Sequence, residues 1–579
     1  MKQPSAHASK KTSGVFGLLK PYAGLLSILL LFAFCSNALN LWIPKIIGQG
    51  IDAYQNHHFS FSATITEFGI IVSVIFIFTY LQSILQTYAS EKVARDLRRQ
   101  LIQKISGQAF AFIKEATPAK LLTNLTADVD SIKLFVAQAI VSIVSSVFII
   151  IGTTILLLTI NWKLALVVIM IIPIIGGTFF LVLRKVRALF IQSRAVIDWL
   201  NRIINESILG AALIRVINSQ QLEYHKFLEA NTKAKGFGLA ILRLFAALIP
   251  IIIFTANLAG LAILMMGGHF VINGRMSLGD FAAFNSYLAL LIFPILVIGF
   301  MSNVIAQATA SYERINKVID APERAETGSR TSALKGELEV ASVSVNYGQK
   351  PVLKNVSFHV KPGTKTAIIG PTAAGKTQLL YLLTGLIKPD TGSILWDGYP
   401  MDSYDSTSFY NQIGFVFQDS IIFNMSIREN IAFNDTATDA SLEKAIATAE
   451  LDDFIHQLPD KLNTLVSERG TSLSGGQKQR IMLARALALH PKILLLDDFT
   501  ARVDQHTEQR IVQNIQQNYP DLTLISVSQK IASVENYDQL ILLMDGEVIA
   551  IGKHQELMQS SPEYVQIANS QKSTSNYEL

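Results

Sequence analysis

Six runs of apolar residues occupy the first half of the chain: Tyr22–Ile43, Phe68–Thr87, Phe135–Ile160, Leu164–Leu183, Leu239–Met265 and Phe281–Val304. Crossing a bilayer takes roughly 20 apolar residues in a helix. Each run is expected to be helical, because a lone segment in lipid can satisfy its own N–H and C=O groups only that way. After the second and fourth runs a helical pattern persists with charged residues, as in Glu91-Lys-Val-Ala-Arg-Asp-Leu-Arg-Arg-Gln-Leu-Ile. These helices are therefore expected to continue well beyond the membrane, with turns at their tips around Asp128–Ser131 and Leu209–Val216. From Asp320 to Glu337 the chain is polar, a linker composition. Beyond it, short β-rich runs alternate with helical patterns, which predicts an α/β domain with a largely parallel sheet. The predicted organisation is a terminal segment 1–20, a six-helix all-α transmembrane domain 21–319, a linker 320–337 and an α/β domain 338–579.

Composition agrees with a multidomain membrane protein. Of 579 residues, 50% are hydrophobic and only 16% charged, and mean hydropathy is +0.36, values that few soluble proteins reach. The net charge of +5 is small for this length and gives no reason to expect a nucleic-acid partner. Basic residues set the orientation. Gly48–Glu67 has no Lys or Arg, Asn161–Lys163 has Lys163 and Gly267–Leu278 has Arg275 alone. The connections after the second and fourth spans carry Lys92, Arg95, Arg98, Arg99, Lys104, Arg187, Arg194, Arg202 and Arg215, among others. Those connections and both termini are expected on the cytoplasmic side of the cell membrane. The single cysteine, Cys35, lies in an apolar run and reads as a packing residue. The apolar run after the basic N-terminus is too long for a cleaved signal peptide and reads as a retained first span.

Three motifs carry chemistry. Gly370, Pro371, Thr372, Ala373, Ala374, Gly375, Lys376 and Thr377 match the phosphate loop G-x-x-x-x-G-K-[ST], and Gln378 opens a helical run behind it. Backbone N–H groups at that helix start suit the β- and γ-phosphates of a nucleotide such as ATP, Lys376 adds charge, and the Thr377 hydroxyl suits Mg2+. The second motif, Ile493-Leu-Leu-Leu-Asp497-Asp498, is a buried strand ending in acids, with Asp497 the expected magnesium-side carboxylate. The third, Leu473-Ser-Gly-Gly-Gln477, places Ser474, Gly475, Gly476 and Gln477 at a helix N-terminus, a second anion site.

With these motifs, over nearly its whole length, the chain resembles ATP-binding-cassette exporters that fuse six spans to one ATPase domain. The resemblance implies an antiparallel β subdomain and an α-helical signature subdomain beside the P-loop core. It also implies that the signature of one chain caps ATP on the partner's phosphate loop, so each chain holds half of two sites. It gives Tyr347 an adenine-stacking role, and it gives Gln418, in Phe415-Val-Phe-Gln-Asp, a role sensing Mg2+ and the membrane domain. Glu468 matches a contact to the intracellular loops, Asp504 matches the loop crossing between two ATPase domains, and Ala127-Asp128-Val-Asp and Gly210 match the tips that couple to the ATPase domains.

The chain departs from the family at three positions, all on the half that would act on its own ATP. The usual glutamate is Asp498, the usual switch histidine is Gln529, and a usual phosphate-loop glycine is Ala373. A carboxylate set back by about 1 Å can slow catalysis on the order of 100-fold, and Gln carries no charge at any pH. With the signature intact, this pattern resembles the impaired-site subunit of bacterial heterodimeric multidrug exporters, and it implies a partner half carrying the Glu and His. The spans hold almost no internal charge; Asn37, Asn40, Gln82, Gln86, Asn257 and Asn285 are among their polar groups. Hydrophobic or amphipathic small-molecule cargo is expected. A homodimeric lipid or peptide exporter, and a regulatory subunit gated by ATP without pumping, remain open alternatives.

Overall fold

A computed structural model of the chain describes residues 14–322, 328–347, 350–434, 436–467 and 470–575. Among them, six helices are long and apolar enough to cross a membrane. They are α1 (Gly17–Gln55), α2 (Phe61–Ser106), α4 (Pro118–Ile160), α5 (Trp162–Leu209), α7 (Gln220–Ile272) and α8 (Leu278–Ile319). Two short helices, α3 (Phe110–Ala116) and α6 (Ala211–Val216), lie between them. At 1.5 Å per residue α7 is about 80 Å long, far beyond a hydrocarbon core of about 30 Å, so the helices do extend past the membrane.

Local chemistry sets the helix ends. The Asn161 side chain accepts from Leu164 N–H at 3.2 Å to start α5, and Ser277 Oγ accepts from Asp280 N–H at 2.9 Å to start α8. Gly107 follows α2, Pro118 opens α4 and Gly210 follows α5. The second expected tip therefore falls at a turn. The first does not. The chain reverses around Gly107–Pro118, whereas Asp128 sits inside α4 at the end of a π-helical stretch, Asn124–Asp128. Asp128 is only 2% exposed. Its carboxylate accepts from Ser311 Oγ at 2.9 Å and from Arg314 Nε at 3.0 Å on α8. A buried carboxylate needs a cation and a hydroxyl, and this one finds both on a packed helix.

Contacts divide the chain into two units, one of Met1–Gly107 with Ala116–Pro322 and one of Gln108–Glu115 with Glu323–Leu579. In the first, Phe284, Tyr287 and Leu291 of α8 share a core with Leu164, Val168, Ile175 and Phe179 of α5 and Leu248 and Ile252 of α7. The second unit contains two sheets. The strands β1 (Leu338–Tyr347), β2 (Lys350–Val360), β4 (Thr391–Trp396) and β5 (Tyr399–Pro400) form an antiparallel sheet in the order β2-β1-β4-β5. The other six are β3 (Lys365–Ile369), β6 (Ile413–Val416), β7 (Ile493–Asp497), β8 (Thr523–Ser528), β9 (Gln539–Met544) and β10 (Glu547–Gly552). Their order is β10-β9-β3-β8-β7-β6, parallel except for the β10–β9 edge. Strands buried on both faces need apolar residues at every position. In β7, Leu494 and Leu496 enter one core while Ile493 and Leu495 enter the other. Their order places the C-terminal ends of β3, β7 and β8 side by side, where a parallel α/β sheet binds its ligands.

Candidate functional site

The phosphate loop leaves the end of β3 and enters helix α9 (Lys376–Leu383). A Cβ on Gly370 would lie 1.9 Å from the Leu543 carbonyl oxygen, so only glycine lets β9 approach the loop this closely. Gly375 has φ +99° and Ala373 φ +67°. The position where the family has glycine is thus a left-handed one, and Ala373 carries a Cβ into it. Lys376 folds back into the loop, its Nζ donating to Gly370 O at 2.8 Å and Pro371 O at 2.7 Å. Burial lowers its pKa, and the carboxylates of Asp498 and Asp497 oppose that shift.

Asp497 ends β7 opposite the loop. Its Oδ1 accepts from Thr377 Oγ1 at 3.1 Å, and its Oδ2 is buried with no hydrogen-bond partner in the protein. Burial pushes this carboxyl up to about 6, against the hydrogen bond from Thr377. A buried, unsatisfied carboxylate oxygen beside a threonine hydroxyl is a hard-oxygen donor set that fits a divalent cation. Among the described residues no cluster of three or more His, Cys, Asp or Glu surrounds a metal position. The Asp497 carboxylate and Thr377 hydroxyl would suit Mg2+, an ion held through one or two protein oxygens and the phosphates of its nucleotide.

Asp498, with φ +46°, departs from the strand into the left-handed region. Its backbone N–H donates to Val527 O at 3.1 Å, which holds it against the end of β8. Gln529, one residue past β8, donates from Nε2 to Asp498 Oδ2 at 3.2 Å. Burial raises the Asp498 pKa, while Lys376 and Lys530 pull it back. The two departures from the family pattern are thus bonded to each other.

Tyr347 and Gln378 also meet: the phenol donates to Gln378 Oε1 at 2.8 Å. A cavity of about 500 Å3 joins these groups, lined by Tyr347, Thr372 through Gln378, Gln418, Asp497, Asp498 and Gln529. Its remaining walls are Val352, Val527 and Lys114. Lys114, on α3, lies over the Tyr347 ring at 5.3 Å from its centroid. The neighbouring Phe110 packs edge-on against Tyr381 of α9 at 5.4 Å. Nothing in the sequence singles out Lys114 among the basic residues of its connection. Gln479 was equally silent. It is 1% exposed and donates from Nε2 to the Gln418 carbonyl at 3.2 Å. It lies on the helix α10 (Gly475–Leu487) that follows the signature.

Ser474–Gln477 and Asp504 do not line this cavity. Ser474 caps α10 reciprocally with Gln477: Gln477 N–H donates to Ser474 Oγ at 3.2 Å, and Ser474 N–H to Gln477 Oε1 at 2.8 Å. A Cβ on Gly476 would stand 2.8 Å from the Arg502 carbonyl oxygen, which accounts for a glycine there. Asp504 caps helix α11 (Gln505–Asn518), accepting from Thr507 N–H at 2.9 Å. Glu468 lies outside the described residues.

Comparison with known proteins agrees with this architecture. Residues 26–295 match the family described as ABC transporter transmembrane region, and residues 353–501 match ABC transporter. The uncharacterized ABC transporter ATP-binding protein YfiB of Bacillus subtilis (strain 168) is 32% identical over 96% of this chain and 97% of that protein. The probable multidrug resistance ABC transporter ATP-binding/permease protein YheI of the same organism is 30% identical over 93% of each. An ATP-dependent lipid A-core flippase of Syntrophus aciditrophicus (strain SB) is 27% identical over 84% of this chain and 82% of that protein. The solved structure of a bacterial Atm1-family ABC exporter with ATP bound shares the fold, with a TM-score of 0.79 at 22% identity over 96% of this chain and 99% of that one.

Proposed function

This chain belongs to the ABC transporter family, as a multi-pass membrane exporter half that couples ATP hydrolysis to transport, and we propose that it is the impaired-site subunit of a heterodimeric exporter of hydrophobic or amphipathic compounds. The observation that carries the reading is the Gln529–Asp498 hydrogen bond at 3.2 Å inside the ATP cavity, set against an intact capped signature at Ser474–Gln477. Hydrolysis needs a carboxylate that orients and deprotonates water and a switch residue that supports the γ-phosphate. Here the shorter carboxylate is engaged by an uncharged amide. The chain's own site then holds ATP and turns over slowly.

Each of the chain's residues has a share in that role. Tyr347 stacks the base. The phosphate-loop N–H groups and Lys376 hold the phosphates. Thr377, Gln418 and Asp497 would hold Mg2+, which when bound neutralises charge on the β- and γ-phosphates. Ser474 through Gln477, with Asp504 beside the interface, complete a competent site in a second half that supplies Glu and His. ATP between the two ATPase domains favours their closed state, and hydrolysis in the competent site releases it, a population shift that drives the spans between inward- and outward-open forms. Cargo of multidrug type is supported by spans with almost no internal charge and by relatives named for multidrug resistance. The test is ATPase and dye transport by this chain reconstituted alone and with its partner half. Slow hydrolysis and no transport alone, with both restored by the partner, is the expected result; full-speed transport by the chain alone overturns it. The flippase relatives favour a second reading, a homodimeric lipid exporter. That reading predicts lipid-stimulated ATPase in the chain alone.

A further inference from the structure

The loop that carries Gln529 is held from behind by the last helix of the chain. Strand β8 ends at Ser528, and the next residues lose their ladder partners. One side chain replaces them. The Gln571 amide donates from Nε2 to the Gln529 carbonyl at 2.6 Å and accepts at Oε1 from Ile531 N–H at 2.9 Å. Beneath it, Ser528 Oγ accepts from Lys530 N–H at 3.0 Å and closes the turn. One planar amide thus pins the peptide units on both sides of Lys530.

Helix α13 (Pro562–Ser575) is placed to do this. Tyr564 is fully buried, Ala568 is 3% exposed, and Ile567 packs against the same core. Residues 564, 567, 568 and 571 fall on one helical face, so Gln571 is the polar member of an otherwise apolar stripe. The Tyr564 hydroxyl also bonds His554 Nδ1 at 2.7 Å, which ties α13 to the preceding helix, α12 (His554–Ser560). A terminal helix often ends in an ordinary tether to the surface. Here the tethered peptide is that of Gln529, whose side chain reaches Asp498 in the nucleotide cavity.

We infer that Gln571 is a positioning residue of the nucleotide site: through the backbone of Gln529 and Ile531 it holds the switch loop in the conformation that meets the γ-phosphate of ATP. Freed of the clamp, the loop spreads over other conformations, and the apparent affinity for ATP falls by the fraction left in the competent one. The inference rests on ATP binding at this chain's own loop and is independent of its slow turnover, and so of the heterodimer.

The test uses the full chain in lipid nanodiscs and three forms, wild type, Gln571→Ala and Gln571→Met. Methionine keeps the length and packing of glutamine and removes both hydrogen bonds. Amide exchange over Gln529–Ile531 is measured without nucleotide, and the Kd for ATP with Mg2+ by titration. The expected result is faster exchange at Ile531 and a Kd raised about tenfold in both variants, the weight of one to two neutral hydrogen bonds. Recovery of wild-type affinity by Gln571→Met assigns the side chain a packing role and overturns the inference. Faster exchange with unchanged Kd overturns it too, since the loop is then loosened without consequence for the nucleotide. A wild-type chain with no affinity for ATP overturns the site and the inference together, and it is told apart from failure of the clamp by the exchange at Ile531.

Discussion

A glycine at position 373 should stabilise the nucleotide domain, and a glycine one residue later should weaken it. Ala373 has φ +67°, whereas Ala374 is not among the residues with positive φ and is 3% exposed. A Cβ in the left-handed region costs about 1–2 kcal/mol. Glycine in the unfolded chain takes back about 0.4–1 kcal/mol of that through its extra freedom. Ala373→Gly therefore gains about 0.5–1 kcal/mol. Ala374→Gly has no strain to relieve. It adds the same extra freedom to the unfolded chain and removes a buried methyl group worth about 0.8 kcal/mol, a loss of about 1.5 kcal/mol in all. For a domain of this size about 1 kcal/mol moves the unfolding midpoint by about 2–4 °C. The two variants should thus shift in opposite directions, by about 1–4 °C up and about 3–6 °C down. Trp396 is a suitable reporter: it is fully buried and its Nε1 donates to Leu383 O at 3.2 Å, at the end of the helix the loop feeds. With Trp42, Trp162 and Trp199 changed to Phe, its fluorescence follows this domain alone. A drop in midpoint for Ala373→Gly as large as that for Ala374→Gly refutes the argument, because backbone conformation would then not decide the sign.

Other outcomes follow from the same contacts. Because Asp498 and Gln529 are bonded, Asp498→Glu and Gln529→His should act together. With an intact signature facing the site, the ATPase rate of the double variant should exceed the product of the single effects by about fivefold, a coupling of about 1 kcal/mol; a strictly multiplicative result removes the pairing. Arg314→Ala leaves the Asp128 carboxylate buried with Ser311 alone. It should lower stability by about 2 kcal/mol, below the range for fully buried pairs because the Arg314 side chain is 52% exposed. Adding Asp128→Asn should recover most of that loss in thermal melts, and no recovery would assign the effect to packing. Arg485 donates to the carbonyls of Asn430 at 2.6 Å and Ile421 at 2.9 Å and lies over the rings of Phe423 and Phe433. Burial pulls its pKa down to about 10. Arg485→Lys, which has no planar fork, should lose about 2 kcal/mol of local stability. This reads as faster amide exchange in the segment after Gln418, and wild-type exchange there would refute it.

Whatever depends on short stretches of chain was legible without coordinates. A span is an apolar run matched to a bilayer thickness, a phosphate loop is a contiguous backbone trap, and a signature is a helix cap. The amino acids of Gly370–Thr377, Leu473–Gln477 and the six apolar runs carry their own physics, and the departures at Ala373, Asp498 and Gln529 were visible for the same reason. Pairings between distant residues were not. Asp128 read as the tip of a loop because it lies in the long connection after the second span and Ala127-Asp128-Val-Asp matches the family's coupling tips, yet the fold buries it against Arg314, 186 residues away. The turn it was meant to mark lies instead between Gly107 and Pro118. That Asp498 and Gln529 hold one another, that Lys114 covers Tyr347 and that Gln571 grips the loop after β8 follow from which strands and helices end side by side. Local periodicity reports which face of an element is buried. Only the tertiary arrangement decides what stands opposite it, because that depends on long-range packing that no segment encodes by itself.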